Sequence, residues 1–212
     1  MSAPSALVIA SGADPDEVRR AEPADLVICA DGGLDVALAA DRRVDLVVGD
    51  LDSVSPTALD HAAAAGIAIE RHRVDKDESD LELALATAID REATVIVVHL
   101  AVGGRLDHQL ANLLVLASPR WARADLSAVV GRDRVWVVRD RRVLPLERGA
   151  HVALHSIGGP AGGVRTRGLR FDLHDERLEA MVARGIANEV AVAGPEIEVG
   201  SGVLLAISSP TR

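Results

Sequence analysis

SDLELALATAIDREATVIVVHLAVGG, residues 79–104, holds two textures in one stretch. Its first half sets Leu81, Leu85 and Ala88 at helical spacing behind Ser79, which predicts an amphipathic helix over 79–91. Its second half is a near-continuous β-branched run closing on a glycine pair, which predicts a strand over 94–104. Strands of this kind, buried on both faces and fed by helices, belong to parallel sheets.

The alternation extends in both directions. Upstream lie the strands ALVIA (6–10), DLVICADGG (25–33) and DLVVGDLDS (45–53). Helices are expected over 34–40 and about 56–65, and a strand over GIAIERH (66–72). A polar segment separates the first two strands. Downstream, LDHQLANLLVLAS (106–118) reads as the last helix. From about Leu126 the texture changes: SAVVG, VWVVRD, HVALHSI, GVRTRG, IEVG and VLLAISS are short and β-branched, with Gly, Pro or charged residues between them. That pattern predicts a sandwich or barrel. The expected fold is α/β, a mostly parallel sheet with helices on both faces over 1–131, followed by a small all-β sandwich domain over 132–212.

Composition narrows the function. The chain has 212 residues, 49% of them hydrophobic, enough for a packed core. A net charge of −9 argues against nucleic acid and against an anionic membrane surface as partners. Cys29 is the only cysteine, so no intrachain disulfide can form and a cytoplasmic setting is expected. The apolar run Ala6–Ala10 is too short for a signal peptide or a membrane span.

Acidic residues gather where strands hand over to helices. Asp31 follows one strand, Asp50 and Asp52 the next, the DKDESD run (75–80) a third, and Asp107 a fourth. These carboxyl-end loops form the ligand crevice of open parallel sheets. Two carboxylates about 4 Å apart repel by roughly 4 kcal/mol at an effective dielectric near ~20. Convergence therefore calls for a cation, and Lys76, the only lysine, neutralises part of the charge. A hard divalent ion such as Mg²⁺ suits carboxylate oxygens. No CxxC or HExxH pattern supports zinc.

Each motif also has a plainer reading. Ser79 to Glu82 spells a capping box, which accounts for Ser79, Asp80 and Glu82 but leaves Asp75 and Asp77 unexplained. Asp50 and Asp52 suit a turn after a strand; their i, i+2 spacing also points two carboxylates one way. Asp31 can simply end its strand, while Gly32 and Gly33 allow backbone amides to approach a ligand. His99 fits a core histidine, and His108 and Asn112 fit a helix surface. Gly103, Gly104 and Arg105 read differently: paired glycines at a helix start expose backbone donors to an anion, and arginine adds a bidentate phosphate contact. An acidic metal cluster beside such a turn describes a site for a metal-chelated polyphosphate.

CADGG, GDLDS, DKDESDLELAL and GGRLDHQLANL, in this order and spacing, resemble the thiamine pyrophosphokinase family. The later stretch GLRFDLHDERL…RGIANEV…VGSGVLLAI resembles that family's thiamine-binding β domain, so the likeness covers nearly the whole chain. The resemblance implies an α/β catalytic domain that binds ATP and Mg²⁺, a thiamine-binding β-sandwich, and a homodimer with the active site at the subunit interface. It implies transfer of the terminal diphosphate of ATP to the hydroxyl of thiamine, giving thiamine diphosphate and AMP. By the same likeness Asp50, Asp52 and Asp80 are metal ligands. Asp31, Gly32, Gly33, Lys76, Asp77, Gly103, Gly104 and Arg105 serve the metal–nucleotide site, and Phe171 and Asn188 the thiamine. Asp80, Asp107 and Arg105 carry the chemistry: a carboxylate, Asp80 or Asp107, takes the hydroxyl proton, and Arg105 holds the phosphates. Lys76 either contacts a phosphate or balances its neighbours.

Two positions depart from the family pattern. Ala187 stands where a serine is usual, and Phe171 where Trp or Tyr is usual. Both bear on the choice of thiamine, and Phe171 equally suits a core position. Three other readings stay open: a haloacid-dehalogenase-type phosphatase using Asp50 and Asp52, a diphosphokinase for another hydroxymethyl heterocycle, and a non-catalytic nucleotide or thiamine sensor.

Overall fold

The computed structural model describes residues 3–210. It divides into two compact units, one of residues up to Val115 with Arg120–Gly131, the other of Leu116–Pro119 with Arg132 onward.

The first unit is an α/β layer structure. Its elements run β1 (Ser5–Ala10), α1 (Pro15–Arg20), β2 (Leu26–Ala30), α2 (Gly33–Ala39), β3 (Leu46–Gly49), α3 (Pro56–Ala65), β4 (Ala68–Arg71), α4 (Asp80–Asp90), β5 (Val95–Leu100), α5 (Leu106–Leu116) and β6 (Asp125–Val130). The strands lie in the order β6-β5-β1-β2-β3-β4. All five pairings are parallel. Alternation along each strand sorts the core. Leu7, Ile9, Val27, Cys29 and Val47 pack with Val18, Leu34, Ala37, Ala58 and Ala62 of α1–α3. Val8 and Ile28 are fully buried and point the other way, toward the side on which α4 crosses β1, β2 and β3. The helix layer thus changes face between α3 and α4, and the link that makes the change, residues 72–79, passes the carboxyl end of the sheet.

Local chemistry explains where the helices start. Ser55 and Ser79 cap α3 and α4 with their hydroxyls, and Glu82 completes a capping box at α4. Gly66, in left-handed conformation, ends α3. The helix α1 falls in the segment read as merely polar: Asp14 caps it and Pro15 opens it, but only Val18 is buried, so no apolar period marks it. β6 shares the texture of the β-rich tail, yet it pairs with β5 and completes the parallel sheet.

The second unit is a sandwich of two antiparallel four-stranded sheets. One contains β7 (Asp133–Val138), β9 (His151–Ser156), β12 (Asn188–Glu189) and β14 (Leu204–Ser208), in the order β12-β9-β14-β7. The other contains β8 (Arg141–Val143), β10 (Ala161–Arg167), β11 (His174–Leu178) and β13 (Glu196–Glu198), in the order β11-β10-β13-β8. Trp136, Val138, Leu154, Leu204 and Ala206 of the first sheet meet Ala161, Val164, Leu178 and Ile197 of the second in one core. Among the described residues, no helix is long and apolar enough to cross a membrane.

Candidate active site

Three of the strand-end aspartates converge. Asp31, after β2, and Asp50 and Asp52, after β3, each offer a carboxylate oxygen within 4.8 Å of the others. The backbone enforces this. Asp31 sits at φ 48°, with its amide donating to Val48 O at 2.9 Å, so the turn after β2 is tied to β3. Asp50 Oδ1 accepts the Asp52 amide at 3.1 Å across Leu51, which is itself left-handed at φ 71°. The Ser53 hydroxyl donates to Asp52 Oδ1 at 2.9 Å.

The glycines here are required by the protein's own packing. A side-chain carbon on Gly33 would lie 1.9 Å from Ile9 O, and one on Gly32 2.8 Å from Ser11 Oγ and 2.9 Å from Ser53 O. The pair lets α2 begin directly against β1 and seats Asp31. Gly49 does the same for the acidic groups: a carbon there would lie 3.1 Å from Asp80 Oδ1 and 3.2 Å from Asp31 Cβ.

Lys76 enters the cluster from the link before α4. Its Nζ lies 3.4 Å from Asp50 Oδ2 and 3.0 Å from Asp80 Oδ1. Asp80 Oδ1 is buried, and its contact with Lys76 is an ion pair. Burial opposes the Lys76 charge, but Asp80 and Asp50 outweigh it and raise the ammonium's pKa. The Asp52 amide, helped by Lys76, lowers that of Asp50. Asp31 is shifted the other way: burial raises its pKa, the nearby Ser53 hydroxyl and Gly32 amide oppose the rise, and Asp80 and Asp52 add to it. Asp31 Oδ1 is buried and has no hydrogen-bond partner. An orphaned buried carboxylate oxygen in a set of all-oxygen donors fits a hard divalent cation.

The remaining candidates are not in this cluster. Asp77 is exposed on the link before Ser79. Gly103 and Gly104, at φ 81° and 76°, make the exposed turn after β5 with open space around them. Arg105 and Asp107 bind each other at 3.1 and 2.6 Å on the exposed start of α5. Arg105 chiefly holds the Asp107 carboxyl down to about 2. Beyond them, Leu106, Leu110 and Leu114 form an exposed apolar stripe along α5.

In the sandwich, Phe171 and Asn188 share the wall of a cleft of about 290 Å³ with Leu154, Glu176, Arg184 and Ile186. Asn188 accepts the Phe171 amide at 3.1 Å and donates to its carbonyl at 2.9 Å, so it fixes the Phe171 backbone. Phe171 is 64% exposed, which excludes a core position, and the Arg170 guanidinium lies 5.6 Å from its ring centroid. Ala187 precedes Asn188 at φ 60°. Sequence reasoning singled out neither Ser53, whose hydroxyl holds Asp52, nor Glu176 and Arg184, and no local pattern marks these three. Glu176 and Arg184 pair with each other at the cleft.

Residues 19–129 match the family profile described as "Thiamin pyrophosphokinase, catalytic domain", and residues 141–204 match "Thiamin pyrophosphokinase, vitamin B1 binding domain". Among curated relatives, thiamine pyrophosphokinase 3 of Oryza sativa subsp. japonica is 28% identical over 179 residues, covering 79% of this chain and 58% of its own length. Thiamine pyrophosphokinase 1 of Arabidopsis thaliana is 27% identical over 211 residues, covering 88% of this chain and 79% of its own. This chain thus spans little more than half of the rice relative. Among solved structures, thiamine pyrophosphokinase from Bacillus subtilis superposes with a TM-score of 0.85 at 20% identity, over 98% of this chain and 100% of that one. The Geobacillus thermodenitrificans enzyme gives 0.81 at 22% identity, over 98% of each chain. At these identities the superpositions speak for the fold.

Proposed function

The chain belongs to the thiamin pyrophosphokinase family, and from that membership we propose that it transfers the terminal diphosphate of ATP to the hydroxyl of thiamine, releasing AMP. The observation that carries this reading is the meeting of Asp31, Asp50 and Asp52 within 4.8 Å at the carboxyl end of the sheet. Asp50, Asp52 and Asp80 hold Mg²⁺, with Asp31 beside them. Bound there, the cation screens the charge of the triphosphate. The exposed turn Gly103–Gly104 and Arg105 hold the phosphates in line with the acceptor, and Lys76 and Asp77 stand at the nucleotide side. Gly32 and Gly33 contribute by seating Asp31.

The acceptor hydroxyl attacks the β-phosphorus, AMP leaves, and a carboxylate takes the proton. Asp80 and Asp107 are the candidates for that role, and Arg105 holds the Asp107 carboxyl down to about 2. Phe171 offers a ring face to the thiazolium cation, and Asn188 positions it. The all-β unit from residue 132 is the thiamine-binding domain, and the unit before it the catalytic one. The protein works in the cytoplasm as a homodimer with its active site at the subunit interface; the exposed leucines of α5 support the pairing.

The test is AMP formation by the purified protein from Mg-ATP and thiamine, with EDTA abolishing it. A panel of other hydroxymethyl heterocycles reads specificity. Phosphate release from phosphomonoesters without AMP would mark a phosphatase. Ligand binding without turnover would mark a sensor.

A further inference from the structure

Lys76 is the one lysine in a chain with 23 Lys and Arg residues, so every other cationic side chain of that set is arginine. The arginines that brace the scaffold show what that type is used for. Arg42 donates to Ala21 O and Glu22 O, Arg139 to Ala117 O and Ser118 O, and Arg123 to Ile89 O. A guanidinium forks onto fixed acceptors and stays there; an ammonium is a compact point charge on a flexible stem. The flexible cation is the one placed among the aspartates.

Its surroundings are specific. The Lys76 side chain is 13% exposed, and those of Asp50 and Asp80 are 10% and 28% exposed. Asp50 Oδ1 is engaged by the Asp52 amide, and Lys76 sits against Oδ2. A cation that ligates Asp50 through its freer oxygen needs the atom Lys76 holds. Carboxylates this close also need compensation before any ligand arrives, because their repulsion is comparable to a large part of a ~5–15 kcal/mol stability. Finally, residues 72–79 form neither helix nor strand, so the side chain can move without breaking an element.

We infer that Lys76 is a placeholder: its ammonium bridges Asp50 and Asp80 until a divalent cation takes those carboxylates, and it then turns out toward the anion that accompanies the cation. The inference rests on the metal-dependent reading above and adds the order of occupancy. The ammonium competes with the cation for one oxygen, so removing it strengthens metal binding even though it weakens the metal-free fold.

The single lysine makes the test direct. An amine-acylating reagent can modify only Lys76 and the N-terminus, and peptide mass spectrometry separates the two. With the full chain and no nucleotide, Mn²⁺ is expected to raise the acylation rate of Lys76 several-fold and leave that of the N-terminus unchanged. In parallel, Lys76→Met is expected to bind Mn²⁺ about 10-fold more tightly than the parent, since a nearby like charge is gone. If Lys76→Met does not fold, Lys76→Gln replaces it, and the acylation of the unmutated protein still decides. Acylation that stays constant or slows while Mn²⁺ is bound overturns the placeholder and leaves the diphosphotransfer reading standing. A variant that binds Mn²⁺ no more tightly does the same. If neither protein binds Mn²⁺, the metal-dependent reading falls, and the placeholder with it.

Discussion

Asp31 lies in left-handed backbone space, at φ 48°, with its carboxylate buried and one oxygen unpartnered. Aspartate and asparagine tolerate that conformation better than other side chains with a Cβ. Burial raises its folded-state pKa above the ordinary value. For an acid this sign means that the folded protein is favoured below the unfolded pKa, and that stability is lost as pH rises through the folded pKa. Above the folded pKa the full cost is present. Asp31→Asn is therefore expected to melt roughly 2–4 °C higher than the parent in EDTA at pH 7, with the gain shrinking toward pH 4. Calorimetry across that range checks it. A flat difference would mean the charge is not the cause. Asp52 differs: its oxygen faces the other two carboxylates and is held by Ser53. On the metal-ligand role proposed above, Asp52→Asn is expected to lower AMP formation by roughly 10- to 100-fold or more, with melting temperature and circular dichroism unchanged.

At the scale of elements, α4 joins stability to chemistry. Ser79 and Glu82 cap it reciprocally, and Asp80, its first residue, meets Lys76. Ser79→Ala is expected to cost about 1 kcal/mol, a fall of roughly 2–4 °C in Tm, while Ser79→Thr keeps the parent value. Thermal melts of the two variants test the cap. This helix was legible in the sequence because cap and apolar stripe agree. α1 was not, since one buried valine makes no period. β6 was legible as a strand, and the boundary expected at 131 put it with the parallel sheet, though its β-branched texture, shared with the tail, does not name its partner. The site divides the same way. Position after a strand pointed to Asp31, Asp50 and Asp52, which meet, but equally to Asp77 and Asp107, which are not in that cluster. That Lys76 spans Asp50 and Asp80, and that Arg105 is taken up by Asp107, depends on side-chain directions no local pattern carries.

At the scale of the molecule, the apolar stripe of α5 is a face that one chain leaves exposed. Leu106, Leu110 and Leu114 recur every fourth residue and are 76%, 57% and 47% exposed. If the chain pairs as proposed above, Leu110→Asp is expected to convert the dimer to a monomer in sedimentation velocity, with secondary structure intact. A parent that sediments as a monomer would refute the pairing. Cys29 offers a probe at this scale too. It is the sole thiol, fully buried in β2 two residues before Asp31, and its pKa is pushed up by that burial. Such a thiol is inert until the central sheet parts. The speed at which an alkylating reagent reaches it therefore clocks the opening of the strand that carries the site, and a bound substrate that tightens that strand would slow the clock.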